Sequence, residues 1–184
     1  MAILKIARMG HPILRKVAKE VSLNQLRSTE FQQFIDSMVE TMREYDGVGL
    51  AAPQVHQSVR VCVIEFEESN PRYKIPQAQG LQFYINPKIK PLTEETYATW
   101  EGCLSVPGMR GLVARPKKIH VEYLDRIGKR HEFEAEGFLA VVLQHEFDHL
   151  DGKLYIDRLV DPSKFAYDQE FERYILPDSK EDLQ

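Results

Sequence analysis

Residues 137–150 read GFLAVVLQHEFDHL, with a glycine close behind at 152. At 3.6 residues per turn, Phe138, Val141, Val142, His145 and His149 fall along one face, and Leu139, Leu143, Phe147 and Leu150 along another. A helix apolar on two faces belongs at the centre of a domain, so the fold is expected to be built around this segment. Working outward, STEFQQFIDSMVETMREYDG (28–47) predicts an amphipathic helix with Phe31, Phe34, Ile35, Met38, Val39 and Met42 on one stripe. Thr29 with Gln32 offers it a capping box, and Gly47 a stop. VRVCVIEF (59–66) predicts a strand apolar on both faces. Shorter strands are expected near 82–86, 94–100 and 119–125, and LDRIGKR (124–130) turns between IHVEY and HEFEAE as a hairpin. Residues 67–80 read as a polar loop. Pro12 suits a first helical turn, and Asp161-Pro162 a cap and first position for a C-terminal helix over about 162–175. The tail from about 176 is expected to fray.

The chain has 184 residues, which points to one domain over 1–184. It is 43% hydrophobic and 28% charged, an ordinary globular balance, and its formal charge of -4 argues against nucleic-acid or anionic-membrane partners. No apolar run approaches the ~20 residues a bilayer span needs. Charges enter the N-terminal residues too early for a secretory signal, and folded chain is expected there in place of a transit peptide. With only Cys62 and Cys103, a disulfide scaffold is not expected and a reducing cytoplasm fits.

His145 and His149 are four apart, so their side chains rise from one face and can hold a single metal ion. Glu146 is rotated by roughly 100° from His145 and can lie beside such an ion as a base. The plainer alternative is a buried helix whose histidines are satisfied by hydrogen bonds, because neutral imidazole on an apolar face needs a partner. A catalytic site usually takes a third protein ligand. One known pattern puts it six residues after the second histidine, but that position is Tyr155. Glu170 and Glu172 remain candidates by spacing. Upstream, WEGCLSVPG (100–108) offers Cys103, and its neighbour Gly102 lets another segment approach closely, whereas Cys62 inside its strand reads as filler. GVGLAAPQV (47–55) is rich in small residues that let backbone approach a substrate, and Gln54 ends the run with an amide donor; a tight loop packed under the helix is the alternative. Val141 and Val142 lie one turn before His145. With Trp100 and Leu104 they could wall a pocket for an unbranched side chain, core packing being the alternative.

Taken in order, GVGLAAPQ, EGCLSVPG and QHEFDHLDG resemble the three signature motifs of the peptide deformylase family, and MRGLVARP adds to the likeness to its bacterial and organellar types. The similarity runs from about residue 5 to 165. It implies an α+β fold in which antiparallel sheets surround the central metal-binding helix, with the N- and C-terminal helices flanking it. It implies a metal-dependent hydrolase that removes the N-formyl group from the formylmethionine of new proteins and releases formate. Cys103, His145 and His149 match the family's metal ligands and Glu146 its general acid/base. Gln54 and the Leu104 N–H match its oxyanion donors, and Gly49 a backbone position beside the substrate. Val48, Trp100, Gly102, Val141 and Val142 are the remaining substrate-side candidates. One ion per chain is implied, usually Fe²⁺, with Zn²⁺, Ni²⁺ and Co²⁺ forms also known. The implied partners are N-formylmethionyl nascent peptides at the ribosome, in a bacterial-type cytoplasm before an organelle. Two rivals stand beside this reading. One is an HExxH zinc endopeptidase using Glu170 or Glu172, and the other a protein that only binds N-formyl peptides.

Overall fold

The computed structural model describes residues 2–67 and 78–176. Most of the polar loop expected over 67–80, and the tail from 177, lie outside them. Strands β1 (Gly49–Ala51), β2 (Val61–Phe66), β3 (Gln79–Pro91), β6 (Lys118–Leu124) and β7 (Arg130–Glu136) form one antiparallel sheet in the order β1-β2-β3-β6-β7. A second sheet, in the order β4-β5-β8, contains β4 (Thr96–Cys103), β5 (Val106–Pro116) and β8 (Phe165–Tyr167). The α-helices are α1 (Leu23–Leu26), α2 (Thr29–Glu44), α3 (Gly137–Leu150) and the short α4 (Asp168–Glu170). This is an α+β fold, and none of its described helices is long and apolar enough to cross a membrane.

The five-stranded sheet lies between α2 and α3, which is why β2 is apolar on both faces. Val61 and Val63 pack with Ile35, Met38 and Met42 of α2, while Cys62 and Ile64 pack with Leu143 and Phe147 of α3. Each fully buried aliphatic side chain contributes roughly 1.5–3 kcal/mol. Every residue of α3 from Ala140 to Leu150 is buried, as two apolar faces require. One side of α3 closes on the five-stranded sheet, and the side carrying His145, Asp148 and His149 turns to β4 and β5. The C-terminal end of α3 is pinned by Arg60, whose Nη1 donates to Leu150 O and to Asp151 Oδ1 (2.7 Å). A guanidinium there also complements the helix dipole. Gly152 follows with φ 72°, and an added Cβ would come within 2.9 Å of the Arg15 backbone, so both torsion and space demand glycine.

Both ends of α2 are set one position before the expected cap and stop. Its N-cap is Ser28, whose Oγ accepts from Phe31 N, while the Gln32 amide donates to Leu26 O and Arg126 O. Two adjacent hydroxyl residues offered equal caps, and the bridge from Gln32 to the 124–130 turn selected Ser28. At the other end the left-handed residue is Asp46 (φ 52°), not Gly47, whose N–H closes onto Met42 O. Pro12 begins a 3-10 turn, Pro12–Arg15, as expected. The expected helix over 162–175 is broken up. Asp161 caps a single 3-10 turn, Pro162–Lys164, and Phe165–Tyr167 then pairs with Met109–Gly111 of β5 before Asp168–Glu170 and Phe171–Ile175 turn helical. Strand pairing on an open sheet edge outweighs local propensity here. β5 lies outside the strands expected from the sequence, because its two glycines and two prolines weaken the strand signal.

Candidate metal centre

Cys103 is the last residue of β4, and the two-residue turn Leu104–Ser105 leads into β5. That turn carries the thiol onto the histidine face of α3. The Cys103 Sγ and one ring nitrogen from each of His145 and His149 lie within 4.8 Å of one another, and all three residues are buried. His149 Nε2 is 3.3 Å from Sγ, and the two imidazoles stand nearly perpendicular, 5.0 Å apart between centroids. Glu170 and Glu172 are exposed on the C-terminal segment and stand outside this group, whose third possible donor is the cysteine. The only other such group among the described residues, His120, Glu122 and Glu132, is partly exposed and shares Glu122 with Arg130.

Glu101 lies two residues before Cys103, on the same face of β4. Its Oε2 accepts from His145 Nδ1 at 2.8 Å, which orients the ring and leaves Nε2 as the nitrogen for a metal. Glu101 also receives both Nε and Nη2 of Arg115, at 2.5 and 2.9 Å. Burial would push the Glu101 carboxyl up, but Arg115 and His145 bring it down to about 2. Arg115 is only 2% exposed, and breaking a buried pair of this kind by removing one partner costs about 3–5 kcal/mol. The Tyr155 ring stacks beside His145, and its hydroxyl donates to Met109 O. The position where another metal pattern has a ligand thus walls one side of this site.

Burial alone would raise the Cys103 thiol, yet the two histidines hold it well below the usual thiol range. Burial would lower His145, and Cys103 with Glu101 raise it well above the usual imidazole range. A thiolate, two imidazole nitrogens and a preset tautomer suit a borderline divalent cation. Burial also raises the Glu146 carboxyl, partly offset by the two histidines. Glu146 is 4% exposed, and its Oε2 is buried without a hydrogen-bond partner. A cation at the three donors would pull that carboxyl back down.

The segment of β1 and the 3-10 turn that follows it, Ala52–Val55, completes the surroundings. Gln54 is 2% exposed, and its Oε1 accepts from Ala51 N at 2.8 Å. That bond sets the amide orientation and turns Nε2 toward Cys103 Sγ (3.4 Å) and Ser105 Oγ (3.3 Å). Gly49 lies against Glu146, where an added Cβ would fall 2.5 Å from Oε1. Gly102 pairs with Arg110 just before the register shift that precedes Cys103, and Leu104 sits in the adjoining turn. Val48 and Val142 pack in the cluster that holds α3 to the large sheet, and Val141 is buried beside them in sequence. Trp100 is not brought to the metal donors. Strand alternation puts it on the face of β4 opposite Glu101 and Cys103, 4.9 Å from the Phe171 ring. Glu101 was missed in the sequence, although its place two residues before Cys103 in a strand was the signal. Arg115 and Asp148 offered no such signal.

A family model described as polypeptide deformylase matches residues 3–165. A peptide deformylase of Leptospira biflexa is 44% identical over 172 residues, covering 94% of this chain and 96% of that one. One from Fusobacterium nucleatum is 49% identical over 158 residues, covering 85% and 84%. The Met-Ala-Ser-bound crystal structure of a class I type b peptide deformylase from Acinetobacter baumannii superposes with a TM-score of 0.81 at 40% identity, over 86% of this chain and 99% of that one.

Proposed function

The chain belongs to the polypeptide deformylase family, and from that premise we propose how its own residues perform the reaction. It is a hydrolase that removes the N-formyl group from N-formylmethionyl peptides. Its family is metal-dependent, and Cys103, His145 and His149 would hold the ion. What carries this reading is the convergence of those three buried donors beside a buried glutamate with an unpartnered oxygen. When bound, the ion supplies Lewis-acid polarisation of the formyl oxygen and a water acidic enough to be deprotonated near neutral pH.

The chain's residues supply the remaining chemistry. Glu146 takes a proton from the attacking water at its Oε2, and the water oxygen bonds to the formyl carbon. Negative charge then grows on the formyl oxygen, where Gln54 Nε2 and the Leu104 N–H donate. The C–N bond breaks as Glu146 returns the proton to the departing nitrogen, leaving formate and a free amine. Val48 and Gly49 present backbone to the peptide, with Gly102 across the site, and Val141 and Val142 set the reach of the methionine side chain from the helix. Trp100, packed on Phe171, serves farther along the peptide.

The donor set accepts Fe²⁺, Zn²⁺, Ni²⁺ or Co²⁺. We assign ferrous iron as the resident ion, one per chain, and place the reaction on formylated chains emerging from ribosomes in a bacterial-type cytoplasm. The test is metal analysis of anaerobically purified protein together with formate release from formyl-Met-Ala-Ser. Iron near one per chain with turnover that falls as iron is lost in air supports the assignment, and zinc with air-stable turnover overturns it.

Two substitutions probe the surroundings. Gln54→Ala is expected to stay folded and metal-loaded while kcat falls ~10²–10³-fold, the usual loss for one preorganised oxyanion donor. A change confined to KM would reduce Gln54 to substrate positioning. Gly49→Ala places a methyl where Glu146 now lies, and the flexible carboxylate is what can move. A displacement of about 1 Å can cost ~10²-fold in rate, so kcat should drop on that scale with metal content unchanged. A parent-like kcat would show that Gly49 matters only for backbone contact.

A further inference from the structure

We propose that Arg115 is a positioning residue for the metal centre, acting through Glu101 and anchored to α3 by Asp148. The contacts form a closed ring that begins and ends on α3. His145 donates to Glu101 on β4, and Glu101 is gripped by two nitrogens of Arg115 on β5. The third arm, Nη1, donates to Asp148 Oδ2 at 2.8 Å, back on α3 three residues after His145. Asp148 is held in turn by Arg158, whose Nε and Nη2 reach its two oxygens at 2.5 and 2.6 Å.

The ring settles the orientation of the ligand imidazole. A carboxylate bound to His145 alone could swing about its side-chain torsions and take the ring with it. Fixed by the planar fork of Arg115, Glu101 presents one oxygen in one place. The same guanidinium ties that place to the helix carrying both histidines. Lysine cannot substitute, because an ammonium is a point charge without a fork. The proposal rests on the metal site described above and deepens it.

The test is a double-mutant cycle read as Co²⁺ affinity by chelator competition, with the cobalt absorption spectrum alongside. Arg115→Lys and Glu101→Gln should each weaken Co²⁺ binding about 10- to 100-fold, the range for partners that orient a ligand. Because Arg115 acts through Glu101, the double variant should bind no more weakly than Glu101→Gln alone. Losses that multiply, or an Arg115→Lys protein with parental affinity and spectrum, overturn the proposal. A purely structural arginine would lower the Tm of metal-free protein and leave Co²⁺ affinity intact. If Arg115→Lys does not fold, Asp148→Asn replaces it, loosening Arg115 from α3 without touching the Glu101 fork. The same non-additivity is expected there, and multiplying losses again overturn the idea. Cobalt binding to a Cys103→Ala variant, run in parallel, separates a failed ring from a misplaced metal site: retained parental affinity there would condemn the site itself.

Discussion

Glu146→Ala is expected to keep its metal and its fold while kcat for formate release falls by ~10²–10⁴-fold, the contribution of a positioned general acid/base. The fold should survive because nothing depends on the carboxylate: Oε2 has no hydrogen-bond partner, and the contact with Gly49 is steric. Deleting a buried carboxyl that burial already disfavours in its charged form removes a desolvation cost. Alanine is also the best residue for a helix interior, so Tm should hold or rise. Metal content should be unchanged because the three donors lie elsewhere. Saturating formyl-Met-Ala-Ser and a metal assay on the same sample decide the matter. Near-parental turnover in a metal-loaded variant would remove Glu146 from the reaction, whatever its place beside the ligands.

The parts of this molecule that follow a period were readable in its sequence. The two-faced pattern of 137–150 predicted a central helix, and the four-residue spacing of His145 and His149 predicted a shared face. The both-faced run at 59–66 became the strand between two helices because each face meets one of them. What escaped was structure set by contacts distant in sequence. Arg115 looks like a loop arginine before a proline, and only the meeting of β4, β5 and α3 makes it a buried hub. Asp148 faces inward because Arg115 and Arg158 come to meet it, which no property of the helix foretells. The C-terminal segment reads helical, yet the open edge of β5 draws Phe165–Tyr167 into the sheet. At the site, local logic would have found Glu101 if the two-residue repeat of a strand had been applied backwards from Cys103. By the same rule Trp100, an odd number of residues from Cys103, lies on the opposite face of β4 from the thiol.

Cys103→Ala is expected to abolish turnover by removing the metal. The two histidines keep their spacing on α3, but two imidazoles without the thiolate lose both a ligand and the negative charge that draws a cation. The loss in affinity should exceed the ~10–100-fold typical of a partner that merely orients a ligand. Folding should persist. Cys103 packs among Ala7, Leu14, Val106 and Tyr155, and losing one buried sulfur from such a cluster costs on the order of 1 kcal/mol. Gln54 keeps Oε1 on Ala51 N and Nε2 near Ser105 Oγ, so the neighbouring loop retains its bonds. The same variant separates the deformylase site from an endopeptidase built on the same helix. There, Glu170 or Glu172 would be the third ligand, and metal would stay bound without the thiol. Both are exposed and outside the donor group, so the variant should elute metal-free after dialysis against chelator under conditions where the parent keeps its ion. Full metal retention with intact turnover would refute the thiolate ligand. Retention with turnover lost would confine Cys103 to the reaction itself.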